Sequence, residues 1–203
     1  QQYPLFILYN KSNIPKRPEN IKKYYNVLKS LIKGSLLLQK NNCKFIVIPC
    51  NTAHYWHEDL QKKIKIPILS MPKEVYLHTK KNCKKNSKIG ILCTEATLKT
   101  GVYNKYFNKS YQLVSPTKSL QKVSVNKAIK FVKMGKIKLA EKAIRPAVNE
   151  LVKMKCKKII LGCTELPIAI FAYKSFKKIK KSKVFIDPNL LLANISMKKY
   201  LRK

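Results

Sequence analysis

Hydrophobic positions along the chain follow two different spacings. Short runs of mostly apolar residues, about four to eight long, are typical of buried strands, whereas apolar residues repeated every three or four positions are typical of helices packed on a core. The runs predict strands at residues 4–10, 44–49, 66–70, 87–93, 111–114, 157–162 and 183–187. The wider spacing predicts helices at residues 19–40, 72–82, 118–133, 136–154 and 188–201.

Strands and helices alternate in this pattern, which indicates an α/β fold with short, mainly parallel sheets flanked by helices. In such folds the ligand binds at the carboxyl ends of the strands. A chain of 203 residues can bury a substantial core as one large domain or as two small lobes.

Two segments of the chain resemble each other. Residues 42–52 read Asn-Cys-Lys-Phe-Ile-Val-Ile-Pro-Cys-Asn-Thr, and residues 155–164 read Lys-Cys-Lys-Lys-Ile-Ile-Leu-Gly-Cys-Thr. The two cysteines of each segment are seven positions apart, and each lies 113 positions from its counterpart. The repeat predicts a duplicated unit in which a helix precedes a buried strand that ends at a cysteine.

The repeat also predicts the organisation into lobes. The strand, loop and helix of residues 87–108 have no counterpart, because the same offset of 113 positions would place that counterpart before residue 1. We therefore expect a duplicated lobe, that is, two similar lobes. The first consists of residues 1–71 plus 184–203 and is N-terminally incomplete, and the second of residues 72–183. We further expect the first sheet to have an unpaired edge.

The chain is strongly basic, with 44 Lys and Arg against 9 Asp and Glu and a formal net charge of +35. Such a charge is typical of proteins that bind nucleic acid or other anionic surfaces. However, Arg17, Arg145 and Arg202 are the only arginines, whereas proteins that read nucleic acids rely on arginine for bidentate contacts. The composition thus argues against a main role in nucleic-acid binding, and the charge would still attract a small anionic substrate.

The six cysteines are not spaced like a disulfide scaffold, which would be shorter and richer in cysteine. Four of them lie in or beside apolar runs, where a reduced cysteine packs as a small core residue. No apolar run approaches the ~20 residues that span a bilayer, and the N-terminus lacks the pattern of a signal peptide. We therefore expect a cytoplasmic protein without a membrane partner.

Two cysteines at matching strand ends, Cys50 and Cys163, are candidates for acid–base chemistry. Inverting an α-carbon without a cofactor requires one group to remove the proton and another to return it from the opposite face. Thiols suit this role because their pKa, about 8.5, is close to working pH. Each cysteine precedes a polar loop that opens a helix, whose N–H groups stabilise a thiolate or a carboxylate. Asn51, Thr52 and Thr164 supply polar side chains for such a carboxylate. The alternative is that both cysteines are buried strand ends without chemistry.

Residues 49–54 (Pro-Cys-Asn-Thr-Ala-His) and 161–167 (Leu-Gly-Cys-Thr-Glu-Leu-Pro) resemble the two signatures of the aspartate/glutamate racemase superfamily. The resemblance implies cofactor-independent racemisation by Cys50 and Cys163, no metal and an acidic amino acid as substrate. It also implies two pseudo-symmetric α/β lobes with the active site between them, and usually a homodimer. Glutamate racemases typically have histidine after the second Cys-Thr. Glu165 at that position resembles the aspartate racemase branch, and the resemblance places it in the substrate site.

The resemblance extends to two basic residues. Arg17 ends a segment, residues 13–17, that is similar to a family loop whose arginine binds the side-chain carboxylate of the substrate, a role that the bidentate guanidinium suits. Lys133 matches a family lysine near the catalytic site. The alternative for Arg17 is a solvated loop charge, and among 41 lysines Lys133 could match by chance.

Two departures from the family pattern affect the expected site. Thr94 and Thr97 match a family loop that holds the substrate, but Ala96 replaces its glycine and Glu95 precedes it. Family members also begin with a strand and a Gly-Gly-Met loop that this chain lacks. We therefore expect an open pocket and a less stable first sheet.

A metal site is an alternative, because Cys50, His54 and His57 have a loosely zinc-like spacing. No Cys-x-x-Cys motif or carboxylate accompanies them, and His54 is better explained as ordering the start of a helix. Three functional hypotheses remain. The first is an aspartate racemase, and the second is a related enzyme that acts on glutamate, another amino acid or a dicarboxylate. The third is a non-catalytic remnant or basic binding protein.

Overall fold

A computed structural model of the chain describes residues 4–12, 14, 25–172, 176 and 183–201. The strands are β1 (Ile46–Val47), β2 (Ile68–Leu69), β3 (Lys88–Cys93), β4 (Gln112–Val114), β5 (Lys158–Gly162) and β6 (Phe185–Ile186). The helices are α1 (Tyr25–Lys40), α2 (His57–Gln61), α3 (Met71–Asn82), α4 (Glu95–Thr100), α5 (Asn104–Phe107), α6 (Lys118–Leu120), α7 (Lys127–Lys133), α8 (Ile137–Lys153), α9 (Leu166–Phe171) and α10 (Pro188–Leu201). None of these helices is long and apolar enough to cross a bilayer.

The strands form two parallel sheets, which confirms the predicted α/β class. One sheet pairs β1 with β2, and the other has the order β4-β3-β5-β6. Since β6 pairs with β5, residues 185–186 belong to the larger sheet, whereas the sequence assigned them to the first lobe. The division into two lobes stays a prediction.

Helices cover both faces of the larger sheet. Ile159 and Leu161 point to a core shared with α7, α8 and α9, whereas Ile160 points to a core shared with α3 and α5. Strands that are buried on both faces read as continuous apolar runs. This is why residues 87–93 and 157–162 were predicted accurately.

The predicted strand at residues 4–10 is wrong. Residues 4–10 have no strand conformation, and Leu5, Phe6 and Leu8 are 93%, 82% and 80% exposed. The ring of Tyr9 instead lies against Gly34 of α1, where a Cβ atom would come within 2.6 Å of it. An apolar run becomes a strand only when another strand pairs with it, and among the described residues β1 pairs with β2 alone.

The helix predicted at 118–133 is irregular. Between α6 and α7, residues Gln121–Asn126 form a π-helical turn. The hydroxyl of Ser124 donates to the carbonyl of Ala143 at 2.5 Å and accepts from the amide of Ala147 at 3.3 Å. These contacts fix the turn against α8. Single π turns within helices are frequent at functional sites.

The contribution of the larger core is tested by substitutions at two adjacent residues of α8. Leu151 is fully buried and Val152 is 41% exposed. Leu151→Ala is expected to lower the free energy of unfolding by about 2–5 kcal/mol, because it removes buried methyl groups and leaves a cavity. The matched control, Val152→Ala, is expected to change it by less than about 0.5 kcal/mol. Urea unfolding measures both, and equal effects would contradict the assigned burial.

Candidate active site

A pocket of about 780 Å³ opens at the carboxyl ends of β1, β3 and β5. Thr94 directly follows β3, Cys163 directly follows β5, and Cys50 lies three residues after β1. Because β3 and β5 are neighbouring parallel strands, their carboxyl ends place Thr94 and Cys163 at one edge of the larger sheet. Cys50 lines the same pocket from the end of a strand in the smaller sheet. The predicted site residues that line the pocket are Cys50, Asn51, Thr52, Thr94, Lys133, Cys163, Thr164 and Glu165. Arg17 lies outside the described residues.

Cys163 is held in its thiol form. Its Sγ donates to Oε2 of Glu165 at 2.9 Å, and the hydroxyl of Thr164 donates to the same oxygen at 2.9 Å. Burial raises the pKa of the Cys163 thiol far above its ordinary value, and the negative charge of Glu165 raises it further. Cys163 is therefore a proton donor at neutral pH.

Glu165 remains a carboxylate in spite of its burial. Burial alone would raise its pKa, but the hydrogen bonds from Cys163 and Thr164 and the charge of Lys133 hold it below its ordinary value. Nζ of Lys133 lies 3.4 Å from Oε1 of Glu165. Both carboxylate oxygens of Glu165 thus have partners in the protein.

Cys50 is positioned through a buried histidine. His54 Nδ1 lies 2.9 Å from the carbonyl oxygen of Cys50, and its Nε2 accepts from the backbone N–H of Met71 at 3.1 Å. Because Nε2 accepts, Nδ1 has the proton and donates. Burial lowers the pKa of His54 to about 4, so the ring is neutral. His54 thereby links the end of the first cysteine strand to the start of α3.

Asn51 offers an unused hydrogen-bond donor. Its side chain is buried, and its Oδ1 accepts from the hydroxyl of Tyr103 at 2.5 Å. Burial raises the pKa of Tyr103 well above its ordinary value, so the phenol stays neutral and donates. Among the described residues, Nδ2 of Asn51 has no hydrogen-bond partner. The sequence did not identify Tyr103, because the contact joins residues 52 positions apart.

Three threonine hydroxyls connect the loops that follow β1 and β3. Oγ1 of Thr97 lies 2.7 Å from Oγ1 of Thr52 and 3.0 Å from Oγ1 of Thr94. The backbone N–H of Thr97 also donates to Thr94 at 3.2 Å, which caps α4. Thr97 is 2% exposed and lies beneath the pocket. It supports Thr52 and Thr94 rather than facing a ligand.

The pocket also contains residues that the sequence did not single out as site residues. Glu95, Asn126 and Lys130 line it. Nδ2 of Asn126 donates to Oε1 of Glu95 at 2.7 Å. In the sequence, Glu95 stands out only as a departure from the family loop. Nothing in the sequence marks Asn126. It enters the site as the last residue of the π turn, which the spacing of apolar residues does not reveal.

Among the described residues no group of three or more His, Cys, Asp and Glu side chains could hold a metal ion. In particular, both ring nitrogens of His54 form hydrogen bonds with backbone atoms. Nε2 of His57 lies 2.8 Å from the carbonyl oxygen of Ile68. The chemical groups that line the pocket include two thiols, the amide of Asn51, two carboxylates and two lysines.

The chain is similar in sequence to known amino-acid racemases. The family described as Asp/Glu/Hydantoin racemase matches residues 1–195. The broad specificity amino-acid racemase RacX of Bacillus subtilis is 27% identical over 173 residues, which is 85% of this chain and 72% of that protein. The glutamate racemase of Carboxydothermus hydrogenoformans is 26% identical over 80% of this chain, which spans 60% of that protein's length.

A solved structure has the same fold. The aspartate racemase of Picrophilus torridus superimposes with a TM-score of 0.76 at 27% sequence identity, and the match covers 97% of this chain and 80% of that one. The aspartate racemase homologue PH1733 of Pyrococcus horikoshii gives a TM-score of 0.72 at 20% identity, covering 91% of this chain and 78% of that one.

The neutral state of His54 predicts a loss of stability in acid. The unfolded chain protonates His54 near pH 6.5, whereas the folded protein does so near pH 4. Between these values the unfolded state binds the extra proton, so the free energy of unfolding falls as pH falls, by at most about 3 kcal/mol from this group. Urea unfolding from pH 7 to pH 4 measures this slope.

The matched variant is His54→Gln, whose amide does not titrate. It is expected to be less stable than the wild type at pH 7 but to lose less stability on acidification. The same slope in both proteins would show that His54 is not neutral in the fold.

Proposed function

Because the chain belongs to the Asp/Glu/Hydantoin racemase family, we propose that it interconverts L- and D-aspartate without a cofactor, with Cys50 and Cys163 as the two acid–base groups. One observation above all supports this proposal. The two cysteines follow strands of different sheets and lie 113 positions apart, yet both line one pocket. A substrate in that pocket can be approached by a thiol from two sides.

The surroundings of Cys163 set its role in one direction of the reaction. Cys163 keeps its proton because of burial and Glu165, so we assign Cys163 as the acid in that direction and Cys50 as the base. Cys50 takes the proton from Cα, and the thiol of Cys163 delivers its proton to the opposite face. After this step Cys50 is a thiol and Cys163 is a thiolate. The reverse reaction starts from that state, and proton exchange with solvent restores the first one.

Substrate binding uses the unpaired groups of the pocket. In the part of the chain that the structure describes, Nδ2 of Asn51 is a buried donor without a partner. Such a donor costs free energy until an acceptor such as the substrate α-carboxylate arrives. Lys130 lines the pocket and, together with Arg17, is available for the side-chain carboxylate. Glu165 contributes through Cys163, since its oxygens are already engaged.

The arrangement of the whole molecule follows from the same proposal. The two predicted lobes would contact the substrate from two sides, with residues 185–186 in the sheet of the second lobe. A homodimer is part of the proposal as well.

A broader or glutamate-directed activity is the second candidate. The relatives in Bacillus subtilis and Carboxydothermus hydrogenoformans are named a broad specificity and a glutamate racemase, respectively. Glutamate is longer than aspartate by one methylene, and an apolar pocket discriminates one methylene by only about 1–3 kcal/mol. Comparing kcat/KM for a panel of amino acids decides between the candidates.

The two-base assignment is tested with L-aspartate in D2O. The wild type is expected to exchange the α-proton and to abolish the circular dichroism signal of the substrate. Cys50→Ser and Cys163→Ser are each expected to abolish racemisation, because a serine hydroxyl is not ionised near neutral pH. Each should retain α-proton exchange only with the enantiomer that faces the remaining thiol.

Cys43→Ser is the matched control, because Cys43 occupies the other cysteine position of the same repeat and does not line the pocket. It is expected to racemise at the wild-type rate. Near-normal racemisation by either Cys50→Ser or Cys163→Ser would remove the two-base assignment.

The role of Arg17 is tested by Arg17→Ala, with the neighbouring Lys16→Ala as control. Loss of a charge-assisted bidentate contact is expected to lower kcat/KM for aspartate roughly 30- to 1,000-fold, mainly through KM. Lys16→Ala is expected to change kcat/KM by less than about threefold. Equal effects of the two substitutions would mean that Arg17 is only a loop charge.

A further inference from the structure

We propose that Glu95 binds the α-ammonium group of the substrate. This inference rests on the proposed racemase function and concerns a group that the two-thiol mechanism leaves unassigned. The carbon that reacts has a positively charged ammonium group bonded to it, and a desolvated ammonium requires a hydrogen-bond acceptor, preferably an anionic one.

The choice of acceptor follows from which carboxylates are free. Glu95 and Glu165 are the carboxylates among the described residues that line the pocket. Glu165 is engaged by Cys163, Thr164 and Lys133. Glu95 accepts from the neutral amide of Asn126, and in the described part of the chain it forms no ion pair. Glu95 is therefore the pocket carboxylate whose charge is not yet balanced by a cation.

A chain of hydrogen bonds fixes the orientation of Glu95. Nδ2 of Asn126 holds Oε1 of Glu95, and Nε2 of Gln121 donates both to Oδ1 of Asn126 and to the carbonyl oxygen of Cys93, each at 2.9 Å. Cys93 ends β3 and is paired with Gly162, the residue before Cys163. Glu95 is thus anchored to the strand ends that hold one of the proposed catalytic thiols, and its Oε2 is left to accept from a ligand.

The position of Glu95 matches the two charged groups on the substrate α-carbon. Glu95 follows Thr94, and Asn51 precedes Thr52. The two threonines are joined through the hydroxyl of Thr97. An anionic acceptor and a free amide donor therefore lie on adjoining loops, as the ammonium and carboxylate groups of one α-amino acid require.

The experiment compares aspartate with succinate, which has the same two carboxylates but no ammonium. Glu95→Gln is expected to raise KM for aspartate roughly 10- to 100-fold, because it replaces a charge-assisted contact by a neutral one. Its inhibition constant for succinate should be unchanged or lower, because a negative charge near a dianion has been removed. Glu58→Gln, at a surface carboxylate outside the pocket, should change neither value.

Two results would overturn the inference. An unchanged KM for aspartate would show that Glu95 makes no contact with the ammonium, and an equal weakening of aspartate and succinate would show that Glu95 only shapes the pocket. If Glu95→Gln does not fold, Glu95→Asp is used. Aspartate at position 95 keeps the negative charge on a side chain that is one methylene shorter. It should weaken the binding of aspartate but not that of succinate.

Direct calorimetric binding separates this inference from the proposed function. If the wild type racemises no amino acid, the proposed function fails. The affinities of wild type and Glu95→Gln for aspartate and succinate then still decide whether Glu95 binds the ammonium group. Selective weakening of aspartate supports the inference, and the absence of selectivity or of aspartate binding overturns it.

Discussion

The parallel pairing of β3 with β5 is the constraint on which the site depends. Cys93 pairs with Gly162 at the carboxyl ends of these strands, and a Cβ atom at residue 162 would come within 3.0 Å of the Cβ of Cys93. A glycine therefore permits the two strands to approach where the chain turns into the pocket. Cys163, Thr94 and the Gln121 contact with the Cys93 carbonyl all take their positions from this pair.

Burial then makes two chemically identical thiols different. Cys163 is 8% exposed and beside a carboxylate, whereas Cys50 is partly exposed and fixed through its backbone carbonyl by neutral His54. The two thiols that line the pocket therefore have different surroundings. The asymmetry comes from neighbouring residues rather than from the repeated segments, which are alike in sequence.

The sequence predicted what depends on local pattern and missed what depends on distant contacts. The central strands β3 and β5 were predicted because both of their faces are buried, and the cysteine signatures are contiguous. The strand at residues 4–10 failed because pairing, not apolarity, makes a strand. The place of β6 is set by its pairing with β5. Tyr103, Gln121 and the π turn act through residues far away in the chain, which single-sequence spacing does not reveal.

The contrast between the surface and the pocket explains how a protein of charge +35 can hold a zwitterion. A uniformly positive cavity would attract carboxylates but repel the ammonium on the same molecule. The pocket instead combines Lys130 and Lys133 with Glu95 and Glu165. Lys133 and Glu165 form an ion pair with each other beside Cys163. The remaining lysine and glutamate are of opposite sign, so the net charge raises the local concentration of anions while the local arrangement determines their orientation.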